Sequence, residues 1–257
     1  MQLKQEINGN TPTYRKCGGG EPFVYVCGIE GTGQNFFSQI EDLSRDHCVI
    51  TYQLRPDGRY GIETLVEDLA SIVRDAGFER ATFLGESFGG LLTIATALAH
   101  PEIFARMILV NTFAWFRHRA WINIGLTLYS SLPYRLVRAY RNSRSGKELF
   151  SNDIPEEFQK KFLDNTANVP IEGYISRLRI VRNTDLRPRL FEIKTPTLVV
   201  ACTGDGMLDS IAHAKEMVTG LPNAMLKIIE DTGHLALLSK NVRVRDWLNE
   251  INTQFGE

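Results

Sequence analysis

The stretch "FLGESFGG", Phe83–Gly90, places one serine between glycines directly after a run of apolar residues. With its neighbours it predicts a strand, a sharp turn at Ser87 and then a helix. Gly85, Ser87 and Gly89 form the pattern GxSxG, in which a strained turn holds the serine hydroxyl above the strand ends. The pattern leaves two interpretations of Ser87. It is either a nucleophile or an ordinary helix N-cap, because serine is among the preferred capping residues.

Six short runs rich in Val, Ile and Leu recur along the chain, with helical patterns between them. Because these runs are apolar on both faces, they predict a buried parallel sheet. They are "FVYVCG", "CVITYQL", "ATFLG", "MILVN", "TLVVAC" and "MLKIIE". Residues 62–76 repeat apolar side chains at helical spacing, and Gly77 is expected to end that helix. The sequence therefore predicts an α/β fold, with a mostly parallel central sheet flanked by helices.

The alternation of strands and helices stops after "MILVN" and resumes only at "TLVVAC". The sequence between these two runs is helical, aromatic and rich in arginine. Two prolines, Pro188 and Pro196, bracket the return to a strand. We therefore predict a core formed by residues 1–111 and 190–257, with an inserted helical cap over residues 112–189.

The composition is that of an ordinary globular protein. The 257 residues are 43% hydrophobic and 23% charged, enough for one α/β domain with an insertion. The 29 Lys and Arg nearly balance the 30 Asp and Glu, so the overall charge does not favour nucleic acid as a partner. No secretory signal and no run of about 18 apolar residues is seen, so no membrane span is predicted. Four cysteines without metal-ligand spacing are interpreted as reduced, buried thiols of a cytoplasmic protein: Cys17, Cys27, Cys48 and Cys202.

A base and an acid for Ser87 follow later strands of the predicted sheet. His234 comes after a strand and the turn-forming "DTG", where it would reach over the strand ends. Asp205 follows "TLVVAC" and is the preferred acid to orient the imidazole. Asp209 stays open as the acid or as the cap of the next helix, and Asp231 is interpreted as a turn former. The remaining histidines are interpreted as loop residues without a catalytic role: His47, His100, His118 and His213.

These residues together predict a serine hydrolase. Ser87 would attack a carbonyl, His234 would take the hydroxyl proton, and Asp205 would orient His234. The backbone N–H of Phe88, at the positive end of a helix, is available to the oxyanion. Water then resolves the acyl-enzyme, so the reaction needs no metal and no organic cofactor.

The chain order Ser87, Asp205, His234 and the six strand candidates resemble the α/β-hydrolase superfamily over nearly the whole chain. The resemblance implies the α/β-hydrolase fold, with these residues as nucleophile, acid and general base. It also implies that the inserted helical cap covers the site and shapes the acyl or alcohol pocket.

The sequence departs from that superfamily after the first central strand. Members usually have His-Gly there, whereas this chain reads "VCGIEGTG", with Cys27 in place of the histidine. Gly28 still matches, so the resemblance implies the backbone N–H of Ile29 as the second oxyanion donor, beside that of Phe88. The loop also resembles that of thioesterase domains in fatty-acid and polyketide synthesis, which favours thioesters. The alternative is a flexible glycine-rich turn.

The expected substrate is a small molecule, an ester or thioester with an apolar acyl group; carrier-linked and lipid substrates are among the candidates. C–C bond hydrolysis and acyl transfer to an acceptor other than water remain alternatives, because the same residues would perform them. A non-catalytic binding or adaptor protein of the same fold also stays open, since the histidine before Gly28 is missing.

The first half of the insertion is basic and aromatic. Between Asn111 and Lys147 there is no acidic residue, while aromatic side chains alternate with cations. These cations are Arg117, Arg119, Arg135, Arg138, Arg141, Arg144 and Lys147. Such a stretch is able to make peripheral contact with an anionic membrane or to hold the phosphates of an acyl carrier. The alternative is a cap whose aromatic residues pack on the core; Trp115 and Phe116 are the candidate substrate contacts.

Overall fold

The structure, a computed structural model, describes residues 2–4, 12–132, 136 and 149–256. Eight β-strands lie within these residues. They are β1 (Gln2–Lys4), β2 (Tyr14–Cys17), β3 (Glu21–Val26), β4 (His47–Tyr52), β5 (Ala81–Glu86), β6 (Phe104–Val110), β7 (Thr197–Cys202) and β8 (Ala224–Ile229).

All eight strands form one sheet, in the order β1-β2-β4-β3-β5-β6-β7-β8. β2 pairs antiparallel with β1 and with β4, and all the other neighbouring strands are parallel. The predicted mostly parallel sheet is therefore confirmed, and β3 to β8 correspond to the six apolar runs. The sequence pattern does not predict β1 and β2, because neither is an apolar run. In β2 only Tyr14 is buried.

The α-helices of the described residues flank this sheet or lie between β6 and β7. They are α1 (Phe37–Leu43), α2 (Ile62–Asp75), α3 (Phe88–Ala99), α4 (Arg119–Ser131), α5 (Glu156–Thr166), α6 (Ile171–Asn183), α7 (Ser210–Gly220) and α8 (Val244–Phe255). In α2, the predicted apolar stripe is buried, including Leu65, Leu69 and Ile72. The helix ends before Gly77, whose φ of 86° suits glycine.

The parallel strands bring the candidate site residues to one edge of the sheet. Because β3 to β8 run in the same direction, their carboxyl ends meet there, which is where ligands bind in open α/β sheets. Ser87 follows β5 and Asn111 follows β6, and these two strands are neighbours. Asp205 comes shortly after β7, and His234 comes shortly after β8.

The segment of residues 112–189, called the inserted segment below, connects β6 to β7 and contributes α4, α5 and α6. An isolated bridge between Trp115 and Asp185 joins its two ends. Its helix α6 rests on the core, where the Gly173 N–H donates to the Pro56 carbonyl over 3.0 Å. The two ends of the inserted segment are therefore bonded to each other, and α6 is bonded to the core.

Part of the basic stretch of the inserted segment is described. Helix α4 exposes Trp121, Ile124 and Leu128 at helical spacing, with 66%, 51% and 38% of their surface accessible. Five of the seven cations behind the membrane hypothesis fall in residues 133–135 and 137–148, outside the described residues. Among the helices that the structure does describe, none is both long enough and apolar enough to cross a bilayer.

Candidate active site

Ser87 lies at a strained turn between β5 and α3. Its φ of 55° and ψ of −121° fall in a region that non-glycine residues rarely adopt. In the described chain the other non-glycine residues with positive φ are Asn111 and Asp231, which follow β6 and β8 at the same edge of the sheet. Such strain concentrates at functional sites, where the surrounding structure enforces it.

The glycines around Ser87 are required by close packing. A Cβ on Gly85 would lie 2.7 Å from the Gly89 carbonyl oxygen, and one on Gly89 would lie 2.7 Å from the Cys27 carbonyl oxygen. A Cβ on Gly90 would collide with the Thr112 side chain. The motif therefore reflects the tight approach of α3 to β3, β5 and the chain after β6.

Ser87 stands at the N-cap position of α3, but its hydroxyl makes no capping hydrogen bond. It instead lies 3.0 Å from Nε2 of His234. The backbone is held separately, because the Ser87 N–H donates to the Val110 carbonyl over 3.0 Å and the Thr112 hydroxyl donates to the Ser87 carbonyl. Of the two interpretations drawn from the sequence, the geometry favours the nucleophile.

The imidazole of His234 lies between Ser87 and Asp205. Its Nδ1 is 2.8 Å from Oδ2 of Asp205, which completes a hydrogen-bonded line of three side chains. The His234 and Asp205 side chains are 6% and 1% exposed. Ser87 itself is only partly buried, so the serine is the member of this line that a ligand reaches.

Asp205 is held by the start of α7. Its Oδ1 accepts from the backbone N–H groups of Met207, at 2.8 Å, and Leu208, at 3.1 Å. Its Oδ2 accepts from the Ser210 hydroxyl as well as facing His234. Asp209 caps α7 instead, accepting from the Ala212 N–H over 3.3 Å. Of the two aspartates that the sequence offered, Asp205 is the one brought to the imidazole.

The paired groups shift each other's pKa in opposite directions. Burial raises the pKa of Asp205, but the His234 charge and the hydrogen bonds from His234, Ser210 and Met207 outweigh burial and lower it overall. Burial lowers the pKa of His234, but the Asp205 carboxylate raises it by more, and the charge of Glu86 acts in the same direction. The carboxylate therefore stabilises the imidazolium that forms when His234 takes a proton, as general-base chemistry at a serine requires.

Both candidate oxyanion donors lie beside Ser87. Phe88 is the first residue of α3, whose leading backbone N–H groups have no acceptor within the helix. Ile29 lies in a turn closed by the Gly31 N–H, which donates to the Gly28 carbonyl over 2.9 Å. A Cβ on Gly28 would lie 3.6 Å from the Ser87 Cβ, so this turn passes directly next to the serine.

All four cysteines are free thiols. Cys27, Cys48 and Cys202 are buried as expected, whereas Cys17 is only partly buried, at the end of β2, in which Tyr14 is the buried residue. Burial raises the pKa of Cys27 to about 12, although the nearby Arg177 charge acts in the opposite direction. Cys27 is therefore a neutral thiol and no rival to Ser87 as a nucleophile.

Asn111 is a site residue that the sequence reasoning missed. It is fully buried, and its Nδ2 donates to the carbonyls of Gly233, at 3.1 Å, and His234, at 2.8 Å. Its Oδ1 accepts from the Cys202 N–H over 2.9 Å. Asn111 thus ties the ends of β6 and β7 to the loop that carries the imidazole. The available signal was a polar residue directly after a central strand.

Glu86, the variable residue before Ser87, was also missed. Its side chain is buried, and Oε2 accepts from the Tyr25 hydroxyl over 2.7 Å. Among the residues that the structure describes, none forms a hydrogen bond with its buried Oε1, and burial raises the pKa of Glu86. A carboxyl group therefore lies next to the turn at Ser87, close enough to influence His234.

The other residues singled out from the sequence lie in packing positions. The ring of Trp115 contacts the guanidinium groups of Arg119 and Arg187, which lie 5.3 and 3.9 Å from its centroid. Phe116 packs against Phe113, with centroids 5.3 Å apart. Substrate contact by Trp115 or Phe116 therefore stays a prediction.

The interpretation of His213 as a loop residue is wrong. His213 lies in α7, is 1% exposed and packs its ring 5.8 Å from Phe113. Burial lowers its pKa, as expected for a neutral core imidazole. His47 is likewise not in a loop, because it begins β4. Neither residue lies in the hydrogen-bonded line of Ser87.

Comparison with known proteins agrees with the fold. A family model described as alpha/beta hydrolase fold matches residues 21–241. A protein of Rhizobium rhizogenes (strain K84) that is named as the carbamate hydrolase RutD is 29% identical over 233 residues, which cover 82% of this chain and 84% of that relative.

Solved structures share the fold over nearly the whole chain. A thermophilic esterase from Thermogutta terrifontis superposes with a TM-score of 0.83 at 21% identity, covering 98% of both chains. A hydrolase from Pseudomonas aeruginosa PA01 superposes with a TM-score of 0.78 at 23% identity, covering 95% of this chain and 94% of that one. Since the family model matches residues 21–241, which are most of the sequence, the chain belongs to the α/β-hydrolase family.

Proposed function

We propose that this protein is a serine hydrolase that uses Ser87 as nucleophile, His234 as general base and Asp205 as the acid that orients His234. The observation that carries the proposal is the unbroken line from Asp205 Oδ2 to His234 Nδ1 and from His234 Nε2 to Ser87 Oγ, at 2.8 and 3.0 Å. The strained backbone at Ser87 supports it independently.

The proposed reaction begins when the Ser87 oxygen attacks the substrate carbonyl carbon and its proton passes to His234 Nε2. The carbonyl π electrons move to oxygen, and the backbone N–H groups of Ile29 and Phe88 hold the resulting oxyanion. The tetrahedral adduct collapses as the imidazolium protonates the leaving group. Water then attacks the acyl-enzyme with His234 again as the base, which frees the acid and restores Ser87.

The proposed substrate is an ester or thioester with a mainly apolar acyl group. The name of the Rhizobium relative suggests carbamates as a further substrate class, since their carbonyl is likewise bonded to a heteroatom leaving group. C–C bond hydrolysis and acyl transfer use the same residues, so product analysis with each substrate class separates them from simple hydrolysis. No metal or organic cofactor takes part in the proposed chemistry.

The decisive experiment is labelling with a fluorophosphonate, because the adduct requires the nucleophile, the base and the oxyanion donors together. Folded protein should form one adduct, and peptide mass spectrometry should map it to Ser87. Heat-unfolded protein serves as the control and should remain unlabelled. Folded protein that is not labelled at Ser87 would favour a binding or adaptor protein of this fold.

The rate of p-nitrophenyl acetate hydrolysis is expected to rise with pH, because only neutral His234 accepts the Ser87 proton. The pKa of His234 is raised above its usual 6.5, so the acid limb of kcat/KM should have its midpoint above pH 6.5. The midpoint belongs to the coupled Asp205 and His234 pair. A midpoint at or below pH 6.5, measured from pH 4 to 9 at constant ionic strength, would contradict the raised pKa.

We propose further that residues 112–189 form a cap on a core of residues 1–111 and 190–257, and that this cap contacts anionic membranes. The exposed apolar stripe of α4 supports this, since Trp121 and Ile124 lie in a stretch without acidic residues.

The protein should sediment with vesicles that contain about 30% anionic phospholipid, and salt should weaken this binding. Trp121→Ala should lower the bound fraction severalfold. Phe191→Ala is the matched control, because Phe191 is 62% exposed but lies outside α4. Equal binding to neutral vesicles, or equal loss in both variants, would count against the membrane surface.

A further inference from the structure

Arg177 is a buried cation on α6 of the inserted segment, with 1% of its surface exposed. Its Nε donates to the Ile29 carbonyl over 2.7 Å. Its Nη1 donates to the Arg55 carbonyl, at 3.1 Å, and to the Tyr60 hydroxyl, at 3.0 Å. These acceptors are neutral oxygens, whereas buried charges in proteins are ordinarily paired with an opposite charge. These neutral acceptors do not balance the charge of Arg177, so a surface ion pair does not explain why this cation is buried.

The contact with Ile29 completes the support of the turn beside Ser87. The Gly28 carbonyl, which belongs to the same peptide unit as the Ile29 N–H, accepts from Gly31 over 2.9 Å. The carbonyl on the other side of Ile29 accepts from Arg177. With both adjoining peptide units held, the direction of the Ile29 N–H is set.

Gly31 shows that the turn and Arg177 fit closely together. Gly31 has φ +78°, and a Cβ built on it would lie 2.9 Å from the guanidinium carbon of Arg177. Any larger residue would therefore push the guanidinium away as well as strain the backbone. The last glycine of "GIEG" is therefore explained by the room that it makes for Arg177, and not by flexibility of the turn.

We propose that Arg177 is a positioning residue of the oxyanion hole, which aims the Ile29 N–H from the inserted segment and places a positive charge behind it. The proposal rests on the proposed function, because the N–H matters only if an oxyanion forms at Ser87. The Arg177 charge is itself buried, so the solvent screens it less than a surface charge and it attracts the developing oxyanion. Arg177 is enclosed, so it acts through Ile29 and does not touch the substrate.

The test compares kcat and KM for p-nitrophenyl acetate among Arg177 variants. In Arg177→Ala, kcat should fall about 10- to 100-fold while KM changes less than about threefold, since loss of an oxyanion donor costs about 10²- to 10³-fold in kcat. Guanidinium chloride at about 50 mM should restore kcat at least fivefold. Arg177→Lys should lie between Arg177→Ala and the parent, because it keeps the charge but loses the planar guanidinium.

Ser176→Ala is the matched control. Ser176 is buried next to Arg177 on α6, and its hydroxyl donates to the Gly58 carbonyl over 2.9 Å. This variant removes a bond between α6 and the core but leaves the Ile29 turn untouched. It should keep kcat within about twofold of the parent, and thermal unfolding should show that each variant is folded at the assay temperature.

The outcomes separate the two proposals. If Arg177→Ala is unfolded, the kcat of Arg177→Lys is the deciding measurement. An unchanged kcat in a folded Arg177 variant would overturn the positioning role. An equal fall of kcat in Ser176→Ala, or no gain from guanidinium, would also overturn it by indicating a merely structural contact. If Ser87→Ala cleaves the ester as well as the parent does, the proposed function itself fails and the role of Arg177 fails with it.

Discussion

Replacing Ser87 with alanine is expected to lower kcat/KM for p-nitrophenyl acetate by at least about 10³-fold and to abolish fluorophosphonate labelling. The variant lacks the oxygen that lies 3.0 Å from His234 Nε2, so no acyl-enzyme forms. The turn itself should survive, because alanine and serine have similar conformational preferences and the Ser87 N–H still bonds the Val110 carbonyl.

Ser71→Ala provides the control for removing a hydroxyl. The Ser71 hydroxyl donates to the Asp68 carbonyl over 2.8 Å within α2, away from the carboxyl edge of the sheet. It should retain the parent kcat/KM within about twofold. A Ser87→Ala protein that is folded and within tenfold of the parent would remove Ser87 from the mechanism and with it the proposed function.

The second large effect is expected for Asp205→Asn, which should lower kcat by about 10³- to 10⁴-fold. An amide at this position is able to donate to His234 Nδ1, which then holds the imidazole with its proton on Nε2. In that tautomer, Nε2 cannot accept the Ser87 proton. Loss of the carboxylate also removes the main influence that raises the pKa of His234, so the remaining acid limb should move to lower pH.

Asp209→Asn is the matched control, since Asp209 lies four residues further along and caps α7. Asparagine is itself a good N-cap, so stability and kcat should both stay close to the parent values. Measurement of kcat on both variants, with the unfolding midpoint of each, separates orientation of His234 from support of α7. Comparable losses of kcat in the two variants would contradict the assignment of Asp205.

The main fold was predictable because the strands β3 to β7 are largely buried on both faces, which leaves continuous apolar runs in the sequence. The strands β1 and β2 were not, because β2 is held by backbone pairing with β1 and β4 and buries only one side chain, Tyr14. Ser87, Asp205 and His234 were also predictable as candidates. Each follows a recognisable strand, and parallel strands bring such positions together without knowledge of any side-chain contact.

The supporting residues were not predictable in the same way. Asn111 reaches His234 across 123 positions of sequence, and Arg177 reaches Ile29 across 148. Such contacts depend on how loops and the inserted segment fold back on the sheet, which no local spacing encodes. A buried arginine in an amphipathic helix has the same sequence signature as an exposed one, so Arg177 stood out only when its surroundings were known.

The bond from α6 to Ile29 has a consequence for protein engineering. A segment inserted between two strands resembles an exchangeable module, whose replacement would alter substrate choice and leave the chemistry intact. Here the module also holds the turn beside Ser87, through a guanidinium that requires glycine at position 31. A graft of another segment between β6 and β7 would therefore have to carry its own partner for residues 28–31.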